Sequence, residues 1–168
     1  APINPNVIND FNAMGITMLQ GYGMTECSPI IALNPDQCAR ASAAGLPLPG
    51  TEIRIFEPDE NGIGEIICKS ESVMLGYYKD PEETANVIRD GWLYTGDYGY
   101  FDKDGYVYIT GRKKNVIVTK NGKNIFPEEV EYYLNQSPFI AEVVVGGEKE
   151  DESADEHIGP CRLQRFDL

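Results

Sequence analysis

Between residues 91 and 127 the chain reads GWLYTGDYGYFDKDGYVYITGRKKNVIVTKNGKNIFP, aromatic and β-branched runs cut by glycine turns, and such a pattern folds as antiparallel hairpins. Residues 102–105 form a turn between aromatic strands at 98–101 and 106–110. Asn121 and Gly122 turn a second hairpin, 115–120 with 123–126. Between the hairpins, hydrophilic residues follow Gly111 as far as Lys114, the pattern of a hinge or domain boundary. A TGD tripeptide and a basic GRKK segment bracket the first hairpin, which makes this stretch the first place to seek a site.

The chain has 168 residues, 42% of them hydrophobic, enough for one domain or one domain plus part of another. Fourteen Lys and Arg against 27 Asp and Glu give a net charge of −13, which disfavours nucleic acid as a partner. Six of those acids fall within residues 148–156, a run expected to be a solvated loop. Cys27, Cys38, Cys68 and Cys161 form no CxxC pair and have no histidine at zinc-finger spacing, so metal and redox-motif readings fail. A reducing cytoplasm suits this cysteine usage. Nothing resembles a signal peptide and no apolar run approaches the roughly 20 residues that span a bilayer, so membrane contact is expected to be peripheral at most.

Upstream, Asn4 before Pro5 is a helix start, and Val7, Ile8, Phe11 and Met14 recur at helical spacing before Gly15 ends the helix. Residues 16–19 predict a short buried strand that leads into a glycine-broken loop at 21–26. From Gly45 the texture changes to short isoleucine-rich strands, LPLPGTEIRIF and GEIICKS, separated by the turn residues Asp59, Asn61 and Gly62. They predict a small antiparallel sheet or barrel. Asp80 caps a helix that begins at Pro81, with Glu82 and Glu83 in the first turn where the helix dipole favours them. A strand at 92–95 follows. Pro127 opens a last helix with Val130, Tyr133 and Leu134 on one face, and residues 140–145 predict an apolar strand.

Several familiar chemistries fail on the residues. Windows 57–68 and 100–111 resemble calcium loops but end in Cys68 and Gly111, where a bidentate Glu is required. There is no GxxxxGK[ST] and no GxGxxG, and the single histidine, His157, lies in acidic surroundings that suit no nucleophilic triad. GYGMTE at 21–26 is more specific. Its glycines allow close backbone approach, and its ring, hydroxyl and carboxylate suit a base, a phosphate oxygen and Mg²⁺ respectively; the plainer alternative is a glycine-rich turn after a strand. Asp97 and Arg112 each read alone as surface residues. Taken together, a carboxylate and a guanidinium fix the two vicinal hydroxyls of a ribose.

GYGMTE, PLPGTEIRI, GEI with GYYKDPEET, GWLYTGD and GRKKNVIVTKNGKNIFPEEVE stand in one order over residues 1–147, and in that order the chain resembles the adenylate-forming synthetases. That family includes acyl-CoA synthetases, luciferases and nonribosomal-peptide adenylation domains. The form KKNVIVTKNGKNIFPEEVE is most similar to long-chain fatty acyl-CoA synthetases.

The resemblance implies a two-step reaction: a fatty acid carboxylate attacks the α-phosphate of ATP, with Mg²⁺, to give acyl-AMP, and coenzyme A then takes the acyl group as a thioester. It implies that Tyr22 lies against adenine and Thr25 contacts phosphate. Glu26 would ligate Mg²⁺, Asp97 and Arg112 would hold the ribose, and Ala1 and Pro2 would end an adenine-side loop. Lys114 falls at the hinge about which the family's small C-terminal domain swings, and a lysine there prefers an exposed position.

The implied fold is mixed α/β. Residues 1–111 would form the end of a large nucleotide-binding domain, with a small antiparallel β subdomain from about residue 45, and residues 112–168 the hinge and an incomplete α+β domain. The family's Ser/Thr/Gly-rich phosphate loop would precede Ala1, its catalytic lysine is missing, the tail after about residue 155 departs from the pattern, and Val118 stands where many members carry lysine. The expectation is therefore a piece of an acyl-CoA synthetase, inactive alone and prone to dimerise through surface a larger domain would cover. The alternatives are a standalone nucleotide-binding or interaction module, amino-acid adenylation and luciferase-like chemistry.

Overall fold

The computed structural model describes residues 3–119, 124–137 and 139–147. The chain divides into two compact units, Ala1–Thr110 and Gly111–Leu168. It is a mixed α/β protein with antiparallel sheets.

The first unit opens with α1 (Pro5–Ala13), where Asn4 Oδ1 accepts the Asn6 N–H at 2.9 Å and the ring of Pro5 supplies the helical φ. Next come β1 (Gly21–Gly23), a 3₁₀ turn (Thr25–Cys27), β2 (Ile30–Leu33) and β3 (Leu46–Pro47), which form one sheet in the order β1-β2-β3. The second sheet contains β4 (Glu52–Phe56) and β5 (Gly64–Lys69). After α2 (Pro81–Val87), β6 (Ile88–Arg89), β7 (Trp92–Phe101) and β8 (Val107–Arg112) complete it, with order β4-β5-β7-β6 and β8 also on β7. Asp80 caps α2 through Oδ1, which accepts the Glu83 N–H at 3.0 Å.

One apolar core joins the two sheets. Tyr22, Ile31 and Ala32 from the first, with Cys27 of the 3₁₀ turn between β1 and β2, pack with Ile53, Ile66, Cys68, Leu93 and Val107 from the second. The sheets are also tied through the backbone, since Ala44 N–H donates to Val107 O and Val107 N–H to Gly45 O. Asn34, almost wholly buried, donates from Nδ2 to Gln20 O and Ala43 O and accepts the Arg40 N–H at Oδ1, so one side chain anchors three segments. The turn at 102–105 is closed by Asp102 Oδ1, which accepts the N–H groups of Asp104 and Tyr106. Arg40 reaches the same turn, pairing with Asp102 and Asp104 and lying 4.1 Å from the centre of the Tyr106 ring.

The second unit carries a 3₁₀ turn (Lys113–Asn115), a two-stranded ladder of β9 (Ile117–Val118) with β10 (Asn124–Ile125), and α3 (Pro127–Leu134). Among the described residues no helix is long and apolar enough to cross a membrane.

Four local expectations give way. Residues 16–19 form no strand and Ile16 is exposed; Gly21–Gly23 is the strand instead, because its backbone pairs with β2. The strands expected at 92–95 and 98–101 are one strand, continuous through TGD. Tyr133 on α3 points to solvent with Tyr132 stacked edge-on against it. Residues 140–145 are not a strand, since no ladder partner lies beside them among the described residues; Val143 is buried and Val145 N–H donates to Glu131 Oε1. The Asn121–Gly122 turn, His157, Cys161 and the acidic run from residue 148 lie outside the described residues.

Candidate functional site

TGD is a β-bulge. Pairing of β5 with β7 runs Gly64 to Gly99 and Glu65 to Tyr98, then resumes at Ile67 to Tyr94, so residues 95–97 oppose Ile66 alone. Gly96 takes φ +71°, a left-handed conformation that costs glycine nothing. Thr95 Oγ1 fills the gap in the ladder, donating to Ile66 O at 2.7 Å and accepting the Asp97 N–H at 3.1 Å; buried Glu65 accepts the Gly96 N–H.

Burial alternates along β7, and Leu93, Thr95, Asp97 and Gly99 share the inner face. A carboxylate there needs a donor, because a buried charge without one is costly. Tyr22 provides it: its hydroxyl donates to Asp97 Oδ2 at 2.7 Å, between two residues that are 8% and 5% exposed. Burial first, and then the Asp97 charge, push the phenol far above its ordinary value, so Tyr22 remains a donor through the neutral range. Thus the structure joins two of the site residues expected from sequence, 75 positions apart.

Tyr22 is the middle residue of β1. Between Tyr22 and Gly23 the register with β2 shifts, and a Cβ at Gly23 would stand 1.8 Å from Pro29 O. Only glycine fits this approach, which lets the chain turn at once into the 3₁₀ turn of Thr25–Cys27. Thr25 is exposed at its start. Glu26 is half-buried, its backbone oxygen accepting the Met74 N–H at 2.8 Å and its Oε1 accepting the Tyr77 hydroxyl at 2.9 Å. That bond to Glu26, more than burial, raises the pKa of Tyr77.

Tyr77 and the TGD bulge were missed from sequence, although Tyr77 lies in the quoted GYYKDPEET motif. Arg112, the last residue of β8, and Lys114, in the 3₁₀ turn after it, are exposed residues of the second unit, as is Val118. Ala1 and Pro2 lie outside the described residues.

No cluster of three His, Cys, Asp or Glu side chains suited to a metal ion occurs among the described residues. A lone half-buried carboxylate such as Glu26 fits Mg²⁺ carried on phosphate oxygens, because that ion commonly takes one or two protein carboxylates and draws its other ligands from substrate and water.

Residues 1–78 match the family described as AMP-binding enzyme, and the chain belongs to that family. It is 40% identical over 139 residues to a long-chain-fatty-acid–CoA ligase of Salmonella typhimurium, covering 79% of this chain and 25% of that protein. A long-chain-fatty-acid–CoA ligase of Bacillus subtilis is 42% identical over 140 residues, with the same 79% and 25% coverage. Among solved structures, O-succinylbenzoate coenzyme A synthetase of Bacillus subtilis in complex with ATP and magnesium ion matches with TM-score 0.78 and 34% identity, over 90% of this chain and 33% of that one. The chain therefore spans about a quarter of the length of the curated relatives it matches.

Proposed function

We propose that this chain is the nucleotide-gripping portion of an AMP-forming fatty acid–CoA ligase. The Tyr22–Asp97 bond carries the reading, because it fastens the GYGMTE strand to the TGD bulge and so holds two nucleotide-binding motifs in one geometry. The likeness to fatty-acid ligases supports the substrate class.

In the proposed reaction a fatty acid carboxylate oxygen attacks the α-phosphorus of ATP and the bond to pyrophosphate breaks. The thiol of coenzyme A then attacks the acyl carbonyl and AMP leaves. The chain's residues bind and orient. Tyr22 lies against adenine, Thr25 donates to a phosphate oxygen, and Asp97 and Arg112 take the ribose hydroxyls, a vicinal pair matched by a carboxylate and a guanidinium. Glu26 holds Mg²⁺, which when bound offsets charge developing on phosphate oxygens. Tyr77 orients the Glu26 carboxylate through Oε1. Lys114 is the hinge residue, and the protein works in the cytoplasm.

The 168-residue chain alone is proposed to be inactive, since the part of it that matches covers only 25% of its relative. The test is carboxylate-dependent exchange of labelled pyrophosphate into ATP by the full-length protein across fatty acids, O-succinylbenzoate, malonate and amino acids. Exchange highest with long-chain fatty acids, and none with the 168-residue chain, is expected. Preference for another acid would overturn the substrate class, and no exchange with any acid would overturn the ligase reading.

A further inference from the structure

Cys27 ends the 3₁₀ turn that begins at Thr25, and Cys68 lies on β5, 41 positions away. Their sulfurs are 3.2 Å apart, both thiols are free, and both are almost wholly buried in the core that joins the two sheets. Two apolar side chains would fill this space without any chemistry; two thiols in contact carry a latent bond. The S–S distance of a disulfide is about 2.05 Å, so closure needs an approach of roughly 1.2 Å. Rotation of two short side chains and a small backbone adjustment supply that.

We propose that Cys27 and Cys68 form an oxidation site at which hydrogen peroxide makes an intrachain disulfide between the GYGMTE turn and β5. The Cys27 sulfur attacks the peroxide oxygen and the O–O bond breaks, giving a sulfenic acid and one water, into which the Cys27 thiol proton passes. The Cys68 sulfur then attacks the sulfenic sulfur; the S–O bond breaks, the S–S bond forms, and the hydroxyl leaves with the Cys68 proton as a second water. Two thiols are oxidised by two electrons and one peroxide is reduced to two waters.

Cys27 is the first nucleophile because it ends a short 3₁₀ turn that local opening can expose, whereas Cys68 is held within β5, paired on both sides by β4 and β7. Burial also selects the oxidant, since a small peroxide enters by local opening and bulky disulfide reagents meet exposed Cys38 first. The bond would pin the residue that follows Glu26, yet its formation does not depend on the ligase reading.

The test uses the whole chain with Cys38→Ser and Cys161→Ser, leaving only this pair, treated with hydrogen peroxide and read by intact mass. A loss of about 2 Da is expected, the mass of the two hydrogens a disulfide gives up. It should be reversed by dithiothreitol, with the tryptic peptide ending at Arg40 joined to that ending at Lys69 within one chain. Cys68→Ala in the same background should instead gain oxygen at Cys27. Oxygen gain without loss of two hydrogens in the paired protein, a link between two chains, or no reaction in chain shown by circular dichroism to be folded would each overturn the proposal.

Discussion

Tyr22→Phe removes one oxygen and keeps the ring, which makes it the cleanest probe of the bond between the two motifs. The hydroxyl donates to a carboxylate at 2.7 Å where the two residues are 8% and 5% exposed, so water has little room to replace it. A hydrogen bond to a charged group contributes about 1.5 to 3 kcal/mol, and the lower part of that range applies if the carboxylate relaxes toward other donors. At roughly 2.1 cal/mol/K of unfolding entropy per residue for the first unit, the loss lowers Tm by about 6 to 13 °C. Trp92, the only tryptophan, sits on β7 and reports unfolding of this unit in urea by fluorescence. The double-mutant cycle with Asp97→Ala isolates the pair, and a coupling of about 1 kcal/mol or more is expected. A Tyr22→Phe effect below about 0.5 kcal/mol with no coupling would refute the reasoning, because that is the size of an ordinary surface change.

Asn34→Ala strips Gln20 O, Ala43 O and the Arg40 N–H of one buried partner each, and should lower stability by about 2 to 4 kcal/mol in the same urea titration. Tyr77→Phe in the full-length protein should raise the Mg²⁺ concentration needed for half-maximal pyrophosphate exchange while leaving urea stability within about 0.5 kcal/mol, since Tyr77 is exposed. Burial tends to raise the Asp102 carboxyl, but the backbone N–H groups of Tyr106 and Asp104, together with Arg40, outweigh it and hold it below the usual carboxylate range. Its stabilisation of the turn is thus present above the unfolded value and lost as pH falls through the folded one. An NMR titration should show the Asp104 and Tyr106 amides shifting at a lower pH than an ordinary aspartate would cause, and Asp102→Asn should flatten that step.

What the sequence discloses and what it conceals divide by the range of the forces involved. The caps at Asn4 and Asp80 and the turn of Asp59, Asn61 and Gly62 are legible because each is completed within a few residues: Asp59 Oδ1 accepts the N–H groups of Asn61 and Ile63. Gly21–Gly23 looks like a loop because glycine has poor strand preference, and only pairing with residues 30–33 makes it a strand. Apolar residues 16–19 have the composition of a strand but no partner in a ladder. Motif spelling marks Tyr22 and Asp97 separately. That they touch depends on a bulge, and a bulge is a property of register between β5 and β7 which neither strand displays alone. The contacts of Tyr77 with Glu26 and of Cys27 with Cys68, 51 and 41 positions apart, are hidden for the same reason.

The most direct test of the account is whether Asp97 reads the ribose. Affinities of ATP and 2′,3′-dideoxy-ATP, measured by calorimetry on the full-length protein and on its Asp97→Ala variant, separate this role from general folding. The account predicts that the unaltered protein prefers ATP by roughly ten- to a hundredfold, the worth of a charged hydrogen bond, and that the variant, left with Arg112 alone, keeps a clearly smaller preference. An undiminished preference for ATP in a folded Asp97→Ala variant would contradict it.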